Sequence, residues 1–298
     1  MTDLTSDQAV QTLQRIADCE ESKLVKLVIW SNDLSTVPTH TLFGAAAKLE
    51  VLSLFMTGLT TGQVNGLLAK MVESGHLKLK SLDICDNDLS SVPTPILVEA
   101  VWRMEEINLY QTQLTQDQLE GIFKTMAECE VLNLNNIDLR LNNISSIAPD
   151  LLSASAVRLE KICLEETQLT RDQIMALLTR ITDSLDGTVK LKNLDIGKND
   201  LSKVPPDLIA QSVLKLEDVS LKESQLTAQQ VKTIFLAVSE SKDLQLSSLD
   251  LREADLSGVP GDVLSRVKSR VTWLYLEGDF STESHRIIYR KAREGREV

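Results

Sequence analysis

The stretch Leu82-Asp83-Ile84-Cys85-Asp86-Asn87-Asp88-Leu89-Ser90-Ser91-Val92-Pro93 decides the fold, because its pattern returns at a nearly fixed period. Reduced to its apolar alternation and Asn, it reads Leu82-x-Ile84-x-x-Asn87-x-Leu89 with Val92-Pro93. One copy precedes it, Leu27-x-Ile29-x-x-Asn32-x-Leu34 with Val37-Pro38. Three more come after it: Ile137-x-Leu139-x-x-Asn142-x-Ile144 with Ile147, Leu194-x-Ile196-x-x-Asn199-x-Leu201 with Val204-Pro205, and Leu249-x-Leu251-x-x-Ala254-x-Leu256 with Val259-Pro260. The offsets are 55, 55, 57 and 55 residues, the mark of a repeat architecture.

A second unit is interleaved, with Thr or Ser in place of Asn and Leu-Thr-x-x-Gln in place of Pro. It runs from Leu52-x-Leu54-x-x-Thr57-x-Leu59 to Gln63, from Ile107 to Gln118, from Ile162 to Gln173, and from Val219 to Gln230; its last copy starts at Leu274-x-Leu276. The two extra residues of the long period fall between Ile181 and Leu194, where Asp186-Gly187 predicts a lengthened surface turn. Within each unit the LxLxxN stretch has period 2, a strand, and the residues after it have period 3.6, a helix. The helix core slots of the second unit are Val64, Leu67, Leu68 and Met71, then Leu119, Ile122, Phe123 and Met126, then Ile174, Leu177, Leu178 and Ile181, then Val231, Ile234, Phe235 and Val238. Thr60 to Gln63, Thr115 to Gln118, Thr170 to Gln173 and Thr227 to Gln230 are capping boxes, and the Pro of the first unit starts its helix without needing a hydrogen-bond partner.

Of 298 residues, 31 are Lys or Arg and 43 Asp or Glu, a net charge of −12 that argues against nucleic acid as partner. No apolar run approaches the ~20 residues that span a bilayer, and the opening Met1-Thr2-Asp3-Leu4 is no signal peptide, so no membrane partner and a cytoplasmic location are expected. The four cysteines, Cys19, Cys85, Cys129 and Cys163, form no CxxC pair; free thiols are expected, with no metal and no cofactor.

The alternation of two unit types resembles the ribonuclease-inhibitor-like class of leucine-rich repeats, over roughly residues 4 to 290. The resemblance implies an α/β solenoid, a horseshoe with about ten parallel strands on its concave face and helices on its convex face. It would form a single domain over 1–298, with an amino-terminal half-repeat or cap at 1–20, repeats over 21–278 and a capping helix at 279–298. Within that class the wording Asn-Asp-Leu-Ser-x-Val-Pro and Gln-Leu-Thr-x-x-Gln looks most like the leucine-rich domains of NACHT-type (NOD-like) innate immune receptors. The chain lacks the cysteine-rich repeats of ribonuclease inhibitor itself. It also begins in mid-unit, with Leu4-Thr5-Ser6-Asp7-Gln8 on the capping motif, which fits either a natural cap or a piece of a longer receptor. At the far end the box gives way to Ser281-Thr282-Glu283-Ser284 and a basic last helix around Ile287, Ile288 and Tyr289.

Strand residues between and after the core leucines project from the concave sheet. The slot after the second core residue holds Trp30, Phe55, Cys85, Tyr110, Arg140, Glu165, Gly197, Lys222, Arg252 and Glu277, and the next slot includes Met56 and Leu141. Three aromatics in the first four places, with Met56 and Leu141, form an apolar patch, and Trp273 with Tyr275 form a smaller one. The expected partner-binding residues are therefore Trp30, Phe55, Met56, Tyr110, Arg140, Leu141, Lys222, Arg252 and Tyr275, meeting a protein or peptide. Asp83, Asp138, Asp195 and Asp250 form a column too widely spaced to share one ion, and are expected to pair with the basic residues. Catalysis is not expected. The histidines His40, His76 and His285 lie apart, Cys85 and Cys163 point outward without a His to activate them, and no phosphate-loop, metalloprotease or nucleophile-elbow motif occurs. The horseshoe is shared with Ran GTPase-activating protein, which makes Arg171 a remote candidate. Two functions stay open: the ligand-sensing or regulatory module of an immune receptor, and a self-contained enzyme inhibitor or GTPase-activating regulator.

Overall fold

A computed structural model describes residues 5–74, 77–183, 188–276 and 288–290. The chain divides into two compact units, Met1–Ile147 and Ala148–Val298. In the first, helices α1 (Ser6–Asp18), α2 (Thr39–Ala46), α3 (Thr61–Glu73), α4 (Thr94–Trp102) and α5 (Gln116–Glu128) alternate with strands β1 (Lys26–Val28), β2 (Val51–Ser53), β3 (Ser81–Asp83), β4 (Glu106–Asn108) and β5 (Asn136–Asp138). Each strand pairs in parallel with the next, core residue against core residue: Leu27, Leu52, Leu82, Ile107, Ile137.

The second unit repeats the scheme with α6 (Pro149–Ala156), β6 (Lys161–Cys163), α7 (Arg171–Asp183), β7 (Asn193–Asp195), α8 (Pro206–Leu214), β8 (Asp218–Ser220), α9 (Ala228–Glu240), β9 (Ser248–Asp250), α10 (Gly261–Arg270) and β10 (Trp273–Tyr275). Strands β6 to β10 are again parallel neighbours. The fold is an α/β leucine-rich-repeat solenoid. Residues Ile288–Arg290 form a short strand, β11, antiparallel to β10, where a capping helix is expected; the rest of 279–298 lies outside the described residues. The open edge of β10 offers unpaired backbone groups, and Ile288 and Tyr289 are residue types that favour a strand.

All sixteen helix core slots named above are buried, each contributing about 1.5–3 kcal/mol through removal from water. Two polar devices hold neighbouring repeats in register. The first is the Asn slot: Asn142 donates Nδ2 to Leu109 O (2.7 Å) and Leu139 O (3.2 Å), while its Oδ1 accepts from Leu114 N–H (3.1 Å). Asn87 and Asn199 make the same set. The shorter Thr57, Thr112, Thr167 and Ser224 only close their own turn, each hydroxyl donating to the carbonyl three residues back. That is the physical reason for two unit types.

The second device is the Gln of the capping box. Thr115 and Gln118 cap α5 reciprocally, but Gln118 Nε2 also donates to Leu89 O (2.8 Å) and Val92 O (2.7 Å) in the preceding repeat. Gln63 and Gln230 do likewise. The Asp-Leu-Ser wording is an Asx turn: Ser35, Ser90, Ser202 and Ser257 each donate N–H to the Asp two residues earlier.

Candidate interaction face

In the first unit the row Trp30, Phe55, Cys85, Tyr110, Arg140 is contiguous. Ser31 N–H donates to Phe55 O, Met56 N–H to Cys85 O, Asp86 N–H to Tyr110 O, and Gln111 N–H to Arg140 O. The residue after each row member turns the chain off the sheet in the left-handed region, at φ 50° for Met56 and 58° for Leu141. Trp30 is 45% and Met56 52% exposed, and Phe55, Tyr110 and Leu141 are half-buried. Among the described residues no ring stack joins Trp30 to Phe55. The helix-free face therefore presents these side chains to water.

Arg140 is already engaged. Its guanidinium grips Asp138 (Nε 2.9 Å, Nη2 2.6 Å) and lies 5.1 Å over the Tyr110 ring. Asp83 has no such partner, since the residue two places on is Cys85; it accepts instead from Ser53 Oγ (2.8 Å) and Cys85 N–H (3.3 Å). Burial, followed by the nearby Asp83 carboxylate, raises the Asp86 carboxyl above its ordinary range. Burial also pushes the Cys85 thiol far up, helped by Asp83, Asp86 and Asp138, so it holds its proton at neutral pH. Cys85 and Cys163 are both buried rather than outward in solvent. Cys85 is short and sits in its row between the bulkier Phe55 and Tyr110, which explains its burial there.

The second unit carries charge on its own helix-free face. Glu165 is buried and takes Lys222 Nζ at 2.9 Å and Lys198 Nζ at 3.3 Å, with Lys198 also 3.3 Å from Glu166. Burial works to raise the Glu165 carboxyl, but the two lysines outweigh it and hold it below the usual range. Lys222 crosses β7 to reach Glu165 because Gly197 leaves room: a Cβ there would stand 2.9 Å from Lys222 Cγ and 3.2 Å from Asp195 Oδ1. Arg252 repeats the Arg140 arrangement, bonded to Asp250 and 5.9 Å over Tyr275, whose ring stacks on Trp273 at 6.4 Å. Among the described residues the Asp column thus pairs with Arg at Asp138 and Asp250 only.

Asp195 yields a pH test. Burial raises its carboxyl above the ordinary value, against the Gly197 N–H bond and nearby Lys222. A raised folded-state value means that ionisation at neutral pH opposes folding, whereas below the unfolded-state value both states are protonated and the opposition vanishes. Asp195→Asn is expected to raise the melting temperature at pH 7 by a few degrees, ~1 kcal/mol, with the gain shrinking toward pH 4. Equal gains at both pH values would show the carboxylate not to be the cause.

His40 is exposed, and His76 and His285 lie outside the described residues. Arg171 is exposed and donates Nε to Lys203 O (3.2 Å). Among the described residues no three His, Cys, Asp or Glu side chains group as a metal site, and no helix is long and apolar enough to cross a membrane. Sequence reasoning missed Leu24, Val25 and Val28, all exposed around the first strand. Their signal was present, an apolar run around β1 that the repeat pattern assigns partly to core.

No family model matches the sequence, and no curated protein matches it either. Among solved structures the chain is similar to the leucine-rich repeat-containing protein LegL7 from Legionella pneumophila, with 13% identity and a TM-score of 0.56 over 92% of this chain and 90% of that one. The likeness is one of fold.

Proposed function

We propose that the protein is a noncatalytic scaffold that binds a protein or peptide on its helix-free, concave face. Trp30, Phe55, Met56, Tyr110, Arg140 and Leu141 serve as contact residues in the first unit, and Lys222, Arg252 and Tyr275 in the second. The observation that carries the reading is the exposure of Trp30 and Met56, large apolar side chains on a face where Phe55 and Tyr110 continue the row. The Asn-Asp-Leu-Ser and Gln-Leu-Thr wording supports a more specific setting, the ligand-sensing or regulatory module of a NACHT-type innate immune receptor in the cytoplasm.

The test is capture of partners from lysate by the wild-type chain beside the Trp30→Ala, Phe55→Ala, Tyr110→Ala triple variant. The variant is expected to fold, since none of the three is fully buried, and to lose the captured protein. Retained capture with a collapsed melting temperature would make the row a structural element instead.

A further inference from the structure

Exposed apolar side chains are unevenly spread. Of the six large ones among the described residues, Leu24, Val25, Val28, Trp30 and Met56 belong to the first two repeats, and the sixth is Val131. Charge is uneven as well. Residues 1–147 contain ten Lys and Arg against nineteen Asp and Glu, a net −9, while residues 148–298 contain twenty-one against twenty-four, a net −3. The exposed apolar face thus lies on the strongly acidic unit.

The Asp column sharpens this. Asp138 holds Arg140, Asp250 holds Arg252, and Lys222 lies near Asp195. Asp83, the remaining member, faces no cation among the described residues, and neither does Asp86 beside it. Lys80, the nearest base in sequence, is turned to Glu50 (3.4 Å) and Glu105 (4.0 Å). In the equivalent position Arg140 shows what fits: a guanidinium bonded to the Asp and lying over an aromatic ring.

We propose that the helix-free face of the first unit docks a segment of another protein that sets apolar side chains on Trp30, Phe55 and Met56 and a Lys or Arg on Asp83 and Asp86. This rests on the interaction-face reading above and adds the chemistry of the partner. From β1 to β3 is two strand spacings, ~10 Å, which about three extended residues or two helical turns span. A second copy of this chain would bring one −9 unit against another, and an anionic membrane or nucleic acid would meet the same repulsion. The apolar stripe supplies affinity and the unpaired carboxylates supply choice of partner.

The test uses the full chain and three fluorescent peptides of equal length, alternating Leu with Arg, Leu with Glu, and Ser with Arg, at physiological ionic strength. The Leu/Arg peptide is expected to bind at least about tenfold more tightly than either other. Asp83→Asn with Asp86→Asn is expected to remove most of that preference, the introduced amide at position 83 keeping its oxygen for Cys85 N–H and turning its NH2 to Ser53 Oγ, which can accept. Asp86→Asn alone, at a position making no side-chain hydrogen bond in the described structure, serves if the double variant is unstable. Equal binding of Leu/Glu, undiminished binding by the amide variants, or no binding of any peptide overturns the proposal. So does a dimer in sedimentation that Met56→Ala dissolves, which would make a second copy the occupant. If lysate capture depends on Trp30, Phe55 and Tyr110 but not on Asp83 and Asp86, the interaction face stands and only the basic partner falls.

Discussion

Replacing Asn142 with Ala is expected to lower the free energy of unfolding by about 3–5 kcal/mol. The Asn142 side chain is 2% exposed and serves two repeats at once, with Leu109 O and Leu114 N–H on one side and Leu139 O on its own. Ala leaves the Leu114 N–H without its partner and a cavity where the amide stood. Thr112→Ala is the control, because the Thr112 hydroxyl donates to Leu109 O within its own turn; its cost is expected near ~1 kcal/mol. The fifth copy carries Ala254 naturally, at a half-exposed position. Urea unfolding followed by circular dichroism measures the difference, with coincident fluorescence as the check that a single transition is compared. Equal losses for Asn142→Ala and Thr112→Ala would show that the bridge between repeats carries no special weight.

The second large effect is expected from Gln118→Glu, a change that a capping box by itself would tolerate, since Glu and Gln serve equally at that position. Gln118 is 1% exposed, and its Nε2 donates to Leu89 O and Val92 O. A carboxylate there accepts from Thr115 N–H as the amide does but turns a second oxygen, and a buried charge, toward two carbonyls. The expected loss at pH 7 is about 3–5 kcal/mol. Burial beside carbonyl oxygens raises the introduced carboxyl in the folded state, so the deficit should shrink as pH falls and the group regains its proton. A pH-independent deficit, or none, would remove the stapling role and leave only a cap.

Much of this architecture is legible in the letters. The period of 55 residues, the strand and helix spacings and the sixteen core slots follow from apolar periodicity, which burial enforces at every repeat. Even the staple leaves a trace, since Gln8, Gln63, Gln118, Gln173 and Gln230 are all Gln and never Glu. The reason for that choice needs the structure, because Leu89 and Val92 lie 29 and 26 residues from Gln118. The interaction face is half legible. Alternation places Trp30, Phe55 and Tyr110 on one row, but how deep a row member sinks depends on its neighbours, as Cys85 shows. Which charges are already satisfied depends on side chains crossing strands, as Lys222 does over Gly197 to Glu165. The strand at Ile288–Arg290 departs from helical expectation because it answers an edge, not a period.

The reach of the Asn and Gln bonds between repeats, 26 to 35 residues in every copy described, also sets an order of assembly. No such bond waits for a distant part of the chain, so a repeat leaving the ribosome needs only the one made just before it. Synthesis can add finished layers one at a time, each closing the exposed end of the last. An early stop codon after a complete repeat would then release a shorter stack that is still folded, where the same truncation in a fold built on long-range pairing would release a chain with no core.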